Sequence, residues 1–124
     1  MKRILIVAAV TEVLTGLILF VYPPIVIRVL FDFEIAGAGL WISRIAGVSL
    51  IALGLACWPD RNTLRAFCAM LTYNFLITMY LIYLGDTYTV GILLWPAVTI
   101  HAAISILLVY MWWKEQRLAV SPPV

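Results

Sequence analysis

Residues 4–22, ILIVAAVTEVLTGLILFVY, form an apolar run with one carboxylate, Glu12, near its middle. Nineteen residues at 1.5 Å each reach roughly 28 Å, close to the hydrocarbon thickness of a bilayer. An acid at that depth is costly, about 2.5–3.5 kcal/mol for Asp on insertion scales with Glu expected to be similar, so it needs a partner or a proton. The rest of the chain is read as a bundle built to accommodate Glu12.

Composition agrees. Of the 124 residues, 65% are hydrophobic and 11% charged, with mean hydropathy +1.11, against about 25% charged in soluble domains. That little charge cannot cover a soluble core, so the chain reads as an integral membrane protein. The net charge of +2 comes from Lys and Arg scattered between apolar runs, which makes no basic patch for nucleic acid. Lys2-Arg3 before ILIVAAV imitates a secretory signal, but Glu12 interrupts the apolar region and no small-x-small cleavage site precedes a soluble domain. Residues 4–22 are expected to stay as the first span.

Further spans are expected at about 37–58, 66–84 and 91–113, separated by charged or turn residues. The fold class is therefore an all-α, integral membrane four-helix bundle in a single domain. Pro23-Pro24 ends the first helix, because proline lacks the N–H and its ring clashes with the preceding turn. The following IVIRVLFDFEI is too short to span; it reads either as a short interfacial helix from Pro24 or as an apolar loop packed on the bundle. With four spans both termini share one side with Lys2, Arg3, Arg61, Arg65, Lys114 and Arg117, whereas the other side holds only Arg28. The positive-inside rule then places both termini in the cytoplasm. The tail SPPV is expected to be disordered.

Ala8, Glu12 and Gly16 recur every four residues, and Ser43, Gly47 and Gly54 make a similar seam on the second span. Small residues let backbones approach where lipid supplies no hydrophobic drive, so these seams predict helix contacts and turn Glu12 toward protein. Counting rise per residue brings Glu12, Asn74, His101, Arg44 and Tyr80 into one polar layer, with Thr15, Tyr73, Thr78, Thr99 and Ser105 close enough to join. Glu12 and Arg44, each costly alone, are expected to pair directly or through Asn74, Tyr80 or water. Arg44 would keep Glu12 ionised; burial without it would leave the acid protonated.

In this layer Glu12 and His101 are the candidate proton donor and acceptor, and Arg44, Tyr73, Asn74, Tyr80, Trp95 and Thr99 the candidate ligand-binding residues. An Asn74–His101 hydrogen bond would satisfy both groups. Trp95-Pro96 either sits in the first turn of the last helix or opens a kink above His101. His101 is the only histidine and both cysteines, Cys57 and Cys68, are distant, so no self-contained metal site is expected. No cofactor is identifiable. The same residues serve as readily to lock helix register as to bind or react.

Two family resemblances add expectations. The acid in AAVTEVLTG, with the chain's size and four spans, resembles the small multidrug resistance transporters, which implies that Glu12 exchanges protons for cationic drugs. GLILFVYPPIVIRVLF and RIAGVSLIALGLACW, carrying Gly16–Pro23 and the Arg-x-x-Gly at Arg44–Gly47, are similar to the DoxX-like four-helix bacterial membrane proteins. That similarity implies a bundle in the bacterial inner membrane, sometimes an accessory subunit of quinone-linked redox enzymes. The functions expected, in order, are an accessory subunit whose polar layer holds a lipophilic small molecule or partner helix, a membrane enzyme doing acid–base chemistry on an isoprenoid, sterol or quinone-like substrate, and a proton-coupled transporter using Glu12. Expected partners are membrane lipid, a lipophilic small molecule and a homodimer or larger membrane complex.

Overall fold

The computed structural model describes residues 1–59 and 63–120, with side chains to residue 118. Arg61 and the centre of its turn, and the SPPV tail, lie outside the described residues. The chain forms α1 (Lys2–Val21), α2 (Pro23–Phe31), α3 (Ala38–Ala56), α4 (Thr63–Thr87) and α5 (Leu94–Val120). All but α2 are long and apolar enough to cross a membrane, so this is an all-α protein with the make-up of a multi-pass membrane protein.

Local sequence explains the breaks. Tyr22 leaves helical geometry (φ −139°, ψ 71°) between α1 and α2, while Pro23 and Pro24 occupy the first positions of α2, where a missing N–H costs nothing. Residues 23–31 are thus a helix, and the alternative of an apolar loop is set aside. α2 stops at Asp32, which adopts a left-handed conformation (φ 49°) with its N–H on the Arg28 carbonyl at 2.9 Å. Asp is one of the few residues that accept this geometry readily. At the other break, Leu94 opens α5, so Pro96 falls in the first turn and makes no kink above His101.

The spans pack as two pairs, α1 with α3 and α4 with α5, and α1 carries the lesser contacts that join the pairs. In the first pair the small-residue seams meet as expected. Gly16, Gly47 and Gly54 are buried, and a Cβ added at Gly54 would lie 2.6 Å from the Ala9 carbonyl oxygen. Where the pairs meet, toward the ends bearing the chain termini, Leu5, Ala8, Ala9, Cys57, Phe67, Met70, Ile104 and Leu108 form one apolar cluster. A second cluster around Leu81, Leu94 and Val98 fills the opposite end.

That opposite end is also held by backbone. Gly91 N–H donates to Leu30 O and Leu93 N–H to Val29 O, both at 2.9 Å, clasping the α4–α5 connection onto the end of α2. A Cβ at Gly91 would collide with the Val29 carbonyl. Gly91→Ala is therefore expected to open the clasp and cost about 1–3 kcal/mol, as overpacking does. A lowered unfolding midpoint in a detergent titration, with faster protease cleavage between α4 and α5, is the measurable result.

Candidate functional site

The buried polar cluster is assembled where α1 meets the α4–α5 pair. Glu12 on α1 is 1% exposed and Asn74 on α4 is 0% exposed. His101 on α5 completes the group, its side chain 14% exposed. Periodicity explains the placement. Leu5, Ala8, Glu12, Gly16 and Leu19 are buried along one stripe of α1, and Met70, Asn74, Thr78 and Leu81 along one stripe of α4, each at the three- or four-residue spacing of a helix face.

The hydrogen bonds fix more than positions. Asn74 Nδ2 donates to its own helix at Met70 O, 2.9 Å, so the amide oxygen is the atom turned toward α5. His101 Nδ1 lies 2.8 Å from that oxygen. An amide oxygen only accepts, so Nδ1 carries the hydrogen and donates to Asn74. The expected Asn74–His101 bond is present. Thr78 and Ser105 are spent locally, donating to Asn74 O at 2.7 Å and His101 O at 2.9 Å.

Glu12 is different. Its Oε1 is buried and has no hydrogen-bond partner among the described residues, although His101 Nδ1 lies 3.8 Å away. That is beyond the 2.7–3.2 Å of an N–H···O bond. The Tyr73 hydroxyl faces the same carboxyl, and its ring meets His101 edge-on, with centroids 6.0 Å apart at 78°. The arrangement thus has one committed acceptor, Asn74, one waiting acceptor, Glu12, and two donors between them.

Arg44 is not part of it. The expected Glu12–Arg44 pair does not form: Arg44 is exposed on α3, and the charged-group contact of Glu12 is with His101. The physical reason is azimuth. Ser43, Gly47 and Gly54 are the buried residues of α3, and each step along a helix turns about 100°, so Arg44 is rotated off the seam. Tyr80 also stands apart, 56% exposed and stacked on Tyr83 with centroids 6.4 Å apart. Trp95 and Thr99 are exposed, and the Thr99 hydroxyl donates to Trp95 O at 2.9 Å.

Two cavities lie elsewhere. One of about 430 Å³ runs beside Leu71 and Val109, another of about 270 Å³ beside Phe31 and Tyr88, and Glu12, Asn74 and His101 line neither. Cys57 is buried and Cys68 exposed, both as free thiols, and no metal-holding group of His, Cys, Asp and Glu occurs among the described residues. Comparison with protein-family models, curated proteins and solved structures gives no match, so the functional reading rests on this cluster.

Proposed function

We propose that the protein is a proton-coupled carrier of a small molecule in which Glu12 binds and releases the proton. The observation that carries this reading is the unpartnered Oε1 of Glu12, buried 3.8 Å from a His101 N–H already given to Asn74. Intramembrane carboxyls are expensive and mark ion or proton pathways by default.

The chemistry follows from supply and demand for hydrogen bonds. A protonated Glu12 is neutral and does not need the His101 N–H. An ionised Glu12 needs donors and finds them on the other helix pair, at His101 Nδ1–H and the Tyr73 hydroxyl. Deprotonation therefore draws α1 toward α4 and α5, and protonation releases it. Because α1 carries most of the joining contacts between the two pairs, the carboxyl sits where a change of charge can shift one pair against the other, as alternating access requires.

The unpartnered, buried carboxyl is what favours this reading over the two alternatives. Neither of the two cavities described above is lined by Glu12 or His101, so neither supplies them with a lipophilic ligand or a substrate for acid–base chemistry. In vesicles holding a pH-reporting dye, wild-type protein is expected to move protons when at least one of a panel of small cationic or neutral solutes is added. Glu12→Gln should move none with any solute, and Glu12→Asp, which keeps the carboxyl, should retain part of the rate. Wild-type vesicles silent across the panel, or Glu12→Gln as active as wild type, would count against the proposal.

A further inference from the structure

Glu12 is 1% exposed, so a proton it exchanges has to pass through a neighbouring group. The titratable groups against its carboxyl are the Tyr73 hydroxyl of α4 and the His101 ring of α5. The His101 side chain is 14% exposed and so extends from the carboxyl to the surface of the bundle. Its two nitrogens divide along that line. Nδ1, with its hydrogen, lies 2.8 Å from Asn74 Oδ1 and 3.8 Å from Glu12 Oε1. Nε2 has no hydrogen-bond partner among the described residues. It is not buried either, because Glu12 Oε1 is the one buried side-chain nitrogen or oxygen there that lacks a partner. With the hydrogen on Nδ1, the ring's basic lone pair is on Nε2, at the surface.

We propose that His101 is the relay that loads Glu12 with its proton, and that Asn74 is the residue that positions the relay. This rests on the reading of Glu12 as a proton carrier. Hydronium at the bundle surface gives a proton to Nε2 and leaves water. The Nδ1–H bond then breaks as its proton forms an O–H bond with the ionised Oε1, once the carboxylate has drawn α1 across the 3.8 Å gap. The ring ends neutral with its hydrogen on Nε2, and unloading to the same side runs these steps in reverse.

Asn74 decides which hydrogen can be passed on. Its amide nitrogen is bonded to Met70 O at 2.9 Å, so only its oxygen faces the imidazole, and that oxygen holds the hydrogen on the nitrogen nearer Glu12. After transfer the Nδ1 lone pair faces the same oxygen, acceptor against acceptor, which favours the starting tautomer once Glu12 has discharged. Tyr73 is the other group in reach. An imidazole ordinarily takes up and releases protons near neutral pH, whereas a phenol holds its proton to about pH 10, so the ring is the better conductor.

His101 is the single histidine of the chain, so isotope-labelled histidine reports this ring alone. Nitrogen NMR of the full chain in bilayers is expected to show the Nδ1–H tautomer, and Asn74→Leu should lose that preference. Infrared spectra after a rapid pH drop then follow the carboxyl band of Glu12, identified by its absence in Glu12→Gln. His101→Ala should slow the rise of that band about 100-fold, and imidazole added to the buffer should recover part of the loss, which a purely structural role would not show. Tyr73→Phe should stay close to the wild-type rate. A neutral wild-type ring with its hydrogen on Nε2, or a band that rises as fast in His101→Ala as in wild type, would overturn the relay while Glu12 remains the carrier. A wild-type protein with no titrating carboxyl band would overturn both. The tautomer is read on the wild type, so that part of the test depends on no variant folding.

Discussion

Gly47→Leu is expected to abolish the folded bundle. The Cβ alone would stand 2.6 Å from Gly16 O and 2.7 Å from Phe20 N, and a Cβ at Gly16 would stand 2.6 Å from Gly47 O. These neighbours are main-chain atoms of a helix, which cannot swing aside as a side chain can. The only relief is to part α1 from α3. In lipid that separation has no hydrophobic penalty to resist it, because the tails are as apolar as the side chains. What holds the pair is close dispersion contact, which falls steeply with small gaps. Overpacking ordinarily costs about 1–3 kcal/mol, and here it also removes the contact along the seam, so a loss above about 4 kcal/mol is expected. Size-exclusion chromatography should show no monodisperse folded peak for Gly47→Leu. Val48→Leu, one residue on and exposed, should change the unfolding midpoint by no more than about 0.5 kcal/mol. Wild-type stability for Gly47→Leu would mean that α1 and α3 do not pack through these glycines.

That seam was readable from residue spacing because small residues at fixed intervals have one physical use in an apolar helix. The spans were readable for a similar reason, since apolar length and the Pro23-Pro24 break leave few alternatives. Asn74 and His101 could be paired from depth alone, each needing a partner at about the same level. Depth did not suffice for Arg44. Its level in the membrane matched the layer, but its direction around α3 did not, and the signal lay in Ser43, Gly47 and Gly54, which already mark the protein-facing side. The nine residues of α2 were undecided because so short an apolar run carries no length argument. The clasp of Gly91 on Leu30 is made by main-chain atoms, which leave no pattern of side chains to read.

Glu12→Leu is expected to leave the protein as stable as wild type or more stable by about 1–3 kcal/mol, the cost of a buried polar group without a partner. At the same time it should end all proton movement. Leucine is close to glutamate in size and removes the orphaned Oε1; the Tyr73 hydroxyl, on a partly exposed side chain, loses the carboxyl it faces, which moves the result toward the lower end of that range. His101 keeps its bond to Asn74 at 2.8 Å. A carboxyl retained to lock helix register predicts the reverse, a loss of stability on substitution. His101→Leu supplies the contrast. It would leave the Asn74 oxygen, wholly buried, without its donor and cost about 1–3 kcal/mol in unfolding free energy, or nearer 0.6 kcal/mol if the polar contact follows the average measured between membrane helices. Unfolding midpoints of the three proteins in one detergent titration therefore separate the two roles. If Glu12→Leu is destabilised as much as His101→Leu, the carboxyl is a structural member of the layer and the proton-carrier reading fails. If Glu12→Leu holds or gains stability while proton movement disappears, the chain bears an acid that its fold does not need, and the reason for its presence is the proton it carries.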